Sequence, residues 1–206
     1  MKIGVLGGTF NPIHNSHIYL AGEYARQLEL DRVVVVPAGI PPHKEAPNLA
    51  SGRDRYNMCL LATKDLPLFS VTGFELQQSG KSYTYKTLRH ILQNHPGSEL
   101  FLIVGSDMFI TLQNWREPHK IFKMATICAG QREKEEHAML ESHKQVLERM
   151  GARCVIIDLE AKPLSSTQVR KKISAGLYPD ELVHPDVWSY ITERGLYKDP
   201  GKTREE

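Results

Sequence analysis

The chain opens Met1-Lys2-Ile3-Gly4-Val5-Leu6-Gly7-Gly8-Thr9-Phe10-Asn11-Pro12-Ile13-His14-Asn15-Ser16-His17. Residues 3–6 are a short apolar run of the strand type, and a glycine pair follows at once. Glycine has no Cβ, so a strand ending in two glycines is expected to turn sharply there and to bring backbone N–H groups close to a ligand. Ile18, Leu20, Ala21, Tyr24, Ala25 and Leu28 then recur at helical spacing. His14 and His17, three apart, are expected on one face of that helix's first turn. A helix N-terminus supplies free N–H groups and partial positive charge, and imidazoles beside it add donors without a permanent charge. Strand, glycine turn and helix in that order form a phosphate cradle.

Two better-known nucleotide motifs fail on the same residues. A dinucleotide fingerprint needs G-x-G-x-x-G and an acidic residue about twenty positions on. Here Gly4 and Gly7-Gly8 have the wrong spacing, and the second apolar run leads into Pro37. A Walker loop needs an upstream glycine before Gly-Lys-Ser/Thr and a strand leading into it. Gly80-Lys81-Ser82 has neither.

Apolar runs of the strand type recur at residues 3–6, 33–36, 69–72, 100–104, 125–129 and 154–157, with helical patterns between most of them. Several are continuous rather than alternating, as expected of strands covered on both faces. The reading is an α/β chain with a doubly wound, mostly parallel sheet and a small C-terminal helical part. Residues 1–197 are expected to form one domain, with the helical segment at about 165–197 and a polar tail at 198–206. Between Gln131 and Met150 the apolar positions Met139, Leu140, Val146, Leu147 and Met150 mark one face of a charged peripheral helix. A last helix is expected near residues 185–194, starting at Pro185 and stopping at Gly195.

Composition narrows the function. The 206 residues are 41% apolar and 24% charged with a net charge of +2. That charge, without a Lys/Arg stripe, argues against a nucleic-acid backbone as partner. No apolar stretch is long enough to span a membrane, and Met1-Lys2 leads directly into the first strand, so a cytoplasmic protein without a membrane partner is expected. Cys59, Cys128 and Cys154 are far apart and sit in apolar surroundings, which fits buried thiols in a reducing compartment.

Parallel sheets bind ligands outside the carboxyl ends of their strands, so chemistry is sought after each run. The segment after the sixth run holds Ser165, Ser166, Thr167 and Arg170, followed by Lys171 and Lys172. Hydroxyls, helix N–H groups and an arginine fork there make a second anion site. Two such sites on one rim fit transfer of a phosphoryl-type group, which depends on positioning and on neutralising oxygen charge. No protein nucleophile is evident.

Gly7-Gly8-Thr9-Phe10-Asn11-Pro12 with His14 and His17, Pro41-Pro42-His43-Lys44, Ser82-Tyr83-Thr84, Gly105-Ser106-Asp107 with Trp115, Ser165-Ser166-Thr167 with Arg170, and Gly195-Leu196-Tyr197 together resemble the bacterial nicotinate mononucleotide adenylyltransferases of the nucleotidyltransferase superfamily. The resemblance spans nearly the whole chain. It implies a Rossmann-like nucleotidyltransferase fold and a reaction of ATP with nicotinate mononucleotide that gives deamido-NAD and pyrophosphate, with Mg²⁺ held mainly by the ATP phosphates and no metal ligated by protein side chains. It implies that His14, His17 and Arg170 are catalytic, contacting the ATP phosphates. It places Gly7, Gly8, Thr9, Phe10, Ser165, Ser166 and Thr167 around ATP, and Lys44, Thr84, Asp107 and Trp115 around the mononucleotide. One departure stands out: the family usually has glycine just before the second histidine, where this chain has Ser16.

Plainer readings stand beside these roles: Asp107 as a helix cap, Trp115 as a half-buried core aromatic, Lys44 as a solvated loop cation. Other acceptors, nicotinamide mononucleotide or phosphopantetheine, remain open, as does a non-catalytic nucleotide-binding sensor. The sequence also leaves open whether copies associate as a homo-oligomer.

Overall fold

All six apolar runs become strands, and a computed structural model describes residues 1–40, 48–131, 134–159, 165–178 and 181–198. The strands are β1 (Lys2–Gly8), β2 (Arg32–Pro37), β3 (Phe69–Val71), β4 (Glu99–Val104), β5 (Ala125–Gln131) and β6 (Arg153–Asp158). They form one sheet in the order β3-β2-β1-β4-β5-β6. Every pairing is parallel, so the sheet is fully rather than mostly parallel.

The continuous apolar runs have the cause expected of them. Along β1, Ile3 and Val5 face one layer while Leu6 faces the other. Along β4, Leu100, Leu102 and Val104 oppose Phe101 and Ile103. Side chains alternate across a strand, so a run that is apolar at every position is buried on both faces. One layer is built from α1 (Asn15–Leu28), α2 (Gly52–Thr63), α7 (Ser166–Ser174) and α8 (Pro185–Glu193). The other holds α3 (Thr84–Asn94), α4 (Ser106–Phe109), α5 (Pro118–Met124) and α6 (Lys134–Arg149).

The chain builds outward from β1 to β2 and β3, then returns to place β4 on the other side of β1. Connections leave β1 and β4 in opposite directions, which opens a crevice at their carboxyl ends. The segments after β1 and β4 border it.

Two sequence expectations need adjustment. Helix α6 buries Leu140 and Leu147 completely, but Met139 and Val146 are exposed and lie off the apolar face. Arg194 caps α8 rather than extending it. The three cysteines are free, with Cys59 and Cys128 buried and Cys154 half-buried. Among the described residues no helix is long and apolar enough to cross a membrane.

The C-terminal helix is fastened to α2 through polar groups. The Tyr190 hydroxyl donates to Asp54 Oδ1 at 2.8 Å, Arg194 lies 3.2 Å from the same oxygen, and Ser51 donates to Oδ2 at 2.6 Å. Lys64 and Asp186 form an exposed ion pair across the same helices. Burial pushes the Asp54 carboxyl upward, but Ser51, Tyr190 and the Arg194 charge outweigh it and hold it below the ordinary carboxylate range. A depressed carboxyl contributes stability above its unfolded-state pKa and loses it as pH falls through its folded-state value. Asp54→Asn is therefore expected to cost stability at neutral pH, and the gap to the parent chain should close as pH falls below the ordinary carboxylate range in urea titrations. A gap that persists unchanged in acid contradicts this role for Asp54.

Candidate functional site

The glycine pair at the end of β1 does not make the turn. Gly7 and Gly8 are still paired with Val36 and Pro37, and neither has positive φ. The reversal comes later, where Phe10 takes φ 49° with its ring buried. Gly8 is required for another reason: a Cβ there would lie 2.8 Å from Cε1 of Phe10. A Cβ on Gly7 would meet nothing within 4 Å, so the backbone at Gly7 faces open space at the crevice. Both glycines thus serve close approach, one to the Phe10 ring and one to the cleft.

His14 is the N-cap of α1, with extended φ of −145°, and so precedes the helix rather than standing on its first turn. The two histidines still meet. Their rings stack at 3.6 Å between centroids, and the Phe10 ring meets the edge of His17 at 5.1 Å. The backbone N–H of His14 donates to Nδ1 of His17 at 3.2 Å. An Nδ1 that accepts leaves a neutral imidazole with its proton on Nε2, so this bond fixes both the ring's orientation and the nitrogen that donates. Ser16, where the family usually has glycine, lies half-buried between them.

Ser165 caps α7 with its hydroxyl and pairs reciprocally with Gln168, as a capping box does. Ser166 donates to the carbonyl of Pro12 at 3.0 Å, and Arg170 donates to the carbonyl of Asn11 at 2.7 Å and to the Thr167 hydroxyl at 3.1 Å. The start of α7 is thereby tied to the turn after β1, across more than 150 residues of sequence. Neither α1 nor α7 carries an acidic residue in its first turn, so the positive end of each helix stays unneutralised.

Asn11 is the centre of these ties. It is buried, and its side-chain oxygen accepts from the Ala50 N–H at 3.0 Å and from the Tyr197 hydroxyl at 2.8 Å. Its side-chain nitrogen donates to the carbonyl of Asn48 at 3.2 Å. Burial pushes the Tyr197 hydroxyl strongly upward, so it remains a donor. The motif thus contains a polar hub whose partners, at residues 48, 50, 170 and 197, were not assigned to it from the sequence.

On the far side of β2 a buried polar group underlies the start of α3. Ser82 Oγ accepts from the Gly39 N–H at 2.9 Å, and Thr87 donates to Glu75 Oε1 at 2.6 Å. Burial raises the Glu75 carboxyl, while hydrogen bonds from Thr87, Ser82 and Gly39 and the charge of Arg55 pull the other way. Thr84 opens α3 directly after this group, and a Cβ on Gly39 would run into the carbonyl of Glu75. Gly80-Lys81-Ser82 sits here as a bend with Gly80 at φ 83° and Lys81 bridged to Ile40, away from any strand that leads straight into a helix.

Asp107 lies exposed in the first turn of α4, but Gly105, not Asp107, is the N-cap, so the capping alternative for Asp107 does not hold. Trp115 closes a short 3-10 helix (Leu112–Asn114) half-buried against the core, which agrees with the plainer reading while leaving part of the indole open. Lys44 and the rest of residues 41–47 lie outside the described residues. Arg55, the largest fully buried side chain among the described residues, carried no expectation from the sequence.

A family profile described as Cytidylyltransferase-like matches residues 5–172. A chain of Dictyoglomus thermophilum named "Probable nicotinate-nucleotide adenylyltransferase" is 39% identical over 96% of this chain and 100% of its own length. One of the same name from Clostridium botulinum is 34% identical over 96% of this chain and 98% of its own. Among solved structures, the Plasmodium falciparum nicotinic acid mononucleotide adenylyltransferase complexed with NaAD superimposes with a TM-score of 0.74 over 95% of this chain and 97% of its own, at 19% identity. At that identity the likeness concerns the fold.

Replacing Asn11 with alanine leaves the Ala50 N–H, the Asn48 carbonyl and the Tyr197 hydroxyl without their buried partner. Leaving buried polar groups unmatched costs about 1–3 kcal/mol. Asn11→Ala is expected to lose that much in urea unfolding, and an unchanged unfolding midpoint contradicts the hub.

Proposed function

This chain belongs to the nicotinate-nucleotide adenylyltransferases of the cytidylyltransferase-like family, and we propose that it joins ATP to nicotinate mononucleotide, releasing pyrophosphate and forming nicotinate adenine dinucleotide for NAD biosynthesis. The observation that carries the mechanism is the pair of acid-free helix starts, α1 and α7, bound to one another through the carbonyls of Asn11 and Pro12.

In the step itself, a phosphate oxygen of the mononucleotide attacks the α-phosphorus of ATP. A new P–O bond forms, the bond to the oxygen bridging the α- and β-phosphates breaks, and that oxygen leaves with pyrophosphate. No side chain has to enter a covalent intermediate. The protein's task is to hold two anions in line and to offset charge that shifts onto the leaving oxygens. The Nε2–H of His17 is set up to donate to those oxygens, because Nδ1 is already engaged by the His14 backbone. His14 lies under it and fixes its plane. Arg170, already aligned by Asn11 and Thr167, supplies a guanidinium fork from the opposite side. Gly7 lets the backbone come close to the nucleotide and Gly8 lets it close on the Phe10 ring, with Thr9 and Phe10 forming the adjoining wall. Ser165, Ser166 and Thr167 line the α7 side.

On the acceptor side, Thr84 at the start of α3 and the half-buried Trp115 are assigned to the pyridine ring, the indole by stacking. Asp107, exposed on the rim after β4, takes ribose hydroxyls, and Lys44 pairs with the mononucleotide phosphate. Magnesium binds oxygen ligands and keeps several of its own waters, using substrate phosphates and one or two carboxylates. The groups at the starts of α1 and α7 are hydroxyls, imidazoles and one guanidinium, none of them the carboxylate ligand that magnesium favours, a set that fits an ion carried in on the ATP phosphates. When bound there, the ion would neutralise phosphate charge and so make the α-phosphorus easier to attack.

Pyrophosphate release with ATP and nicotinate mononucleotide is expected to exceed release with nicotinamide mononucleotide or phosphopantetheine. An equal or larger signal from either alternative contradicts the acceptor assignment. His17→Ala is expected to lower kcat by roughly 10²–10³-fold, the usual loss for one preorganised donor at a developing anion, while the folded fraction seen by circular dichroism stays complete. Near-parental turnover in that variant removes His17 from the mechanism.

A further inference from the structure

The parallel ladder between β1 and β2 ends just before the crevice. Its last pair is Gly8 with Pro37, followed by one further hydrogen bond from the Ala38 N–H to the Gly8 carbonyl at 2.8 Å. Beyond it the two segments separate, one toward the nucleotide turn and the other toward the start of α3. Their carbonyls are left without ladder partners at a depth where an unmatched polar group is costly.

Arg55 fills that gap. Its side chain rises from the first turns of α2 with 1% exposure. Nη1 donates to the carbonyl of Thr9 at 2.8 Å, Nη2 to that of Gly39 at 3.1 Å, and Nε to that of Ala50 at 3.1 Å. Three segments with no ladder between them therefore meet at one planar group. Among the described residues no carboxylate lies within ion-pair distance of the guanidinium; Glu75 acts on it only at longer range. Burial lowers the Arg55 pKa, yet an arginine stays charged under all ordinary conditions. A buried cation satisfied by carbonyls alone is an expensive way to hold a fold together, and an apolar residue of similar volume would serve packing as well. Its position between the nucleotide turn at Thr9 and the segment at Gly39, which lies beside the start of α3, gives it another use.

We propose that Arg55 is a positioning residue for adenylyl transfer: its guanidinium sets the spacing between the nucleotide turn at Thr9 and the acceptor-side segment at Gly39. This rests on the adenylyl-transfer reading. In-line attack needs the two substrates held a few ångströms apart, and a displacement of about 1 Å can cost on the order of 100-fold in rate. The Gly8–Pro37 pair and the bond from the Ala38 N–H to the Gly8 carbonyl hold the two segments up to this point, and Arg55 carries the tie one residue further, to Thr9 and Gly39 themselves. The fork is what the geometry demands, since lysine keeps the charge but presents a single point and cannot span three carbonyls in a plane.

The test compares Arg55→Lys and Arg55→Met with the parent enzyme. Active sites are counted by single-turnover burst, the folded fraction is read by circular dichroism, and KM is measured for ATP and for nicotinate mononucleotide. For Arg55→Lys the expected result is a folded protein with a full count of sites, a rise in acceptor KM, and kcat/KM lower by roughly 10–100-fold. The shift in melting temperature produced by ATP should shrink in the same variant, because the Thr9 turn is one of the segments released. A lysine variant with parental kcat and both KM values overturns the proposal. So does a loss that is wholly accounted for by fewer active sites at unchanged KM, and so does failure of both variants to fold, since Arg55 would then serve stability alone. If the parent enzyme makes no pyrophosphate with any acceptor, the adenylyl-transfer reading fails on its own. The ATP-induced melting shift still decides whether Arg55 places the nucleotide turn, and an undiminished shift in the lysine variant counts against it.

Discussion

The carbonyls of Asn11 and Pro12 accept hydrogen bonds from donors that arrive from the other end of the chain, and the candidate site exists because of that contact. A turn after a parallel strand has backbone groups that no ladder satisfies. Here the Arg170 guanidinium and the Ser166 hydroxyl satisfy them, and in doing so bring the start of α7 against the start of α1. The Asn11 side chain fastens the same turn to residues 48 and 50 and to Tyr197. One short turn therefore fixes the relation between strand one, the segment before α2, helix α7 and the end of the described chain.

This arrangement explains how a site for a highly charged substrate is kept in order before the substrate arrives. Arg170 is held in place by a carbonyl and a hydroxyl rather than by a carboxylate, so it is oriented without being neutralised. His17 is held by a backbone N–H, which leaves its ring proton on Nε2. Arg55 is buried under three carbonyls. In each case a neutral oxygen or a backbone group, not a carboxylate, aligns the side chain. Acidic residues in the first turns of α1 or α7 would have opposed this, and neither helix has one.

Much of the fold was legible because several strands carry a continuous apolar run, Val33–Val36 in β2 and Leu100–Val104 in β4 above all, a pattern that two-sided burial dictates. The doubly wound sheet followed from the alternation of such runs with helices, and the candidate site from the residues after each run. What the sequence misplaced was local. Gly7-Gly8 reads as a turn because glycine permits one, yet both residues extend β1, and a phenylalanine makes the reversal under tertiary constraint. His14 reads as helical by spacing, whereas the backbone enters α1 one residue later. Arg55 left no signal at all: beside Arg53 and Asp54 in a polar helix start it looks like a solvated cation, and only the end of the β1–β2 ladder shows which carbonyls it must satisfy. Tyr197 was visible as part of a motif, but its bond to Asn11 spans 186 positions and has no sequence period.

The central claim is that the starts of α1 and α7 grip one triphosphate from two sides. The most direct measurement is a crystal structure with Mg²⁺ and an ATP analogue that cannot be cleaved between its α- and β-phosphates. The account requires Nε2 of His17 and the guanidinium of Arg170 each within hydrogen-bond distance, at most about 3.2 Å, of oxygens on the same triphosphate. A triphosphate bound by one of these groups while the other stays on its present protein partners would contradict it.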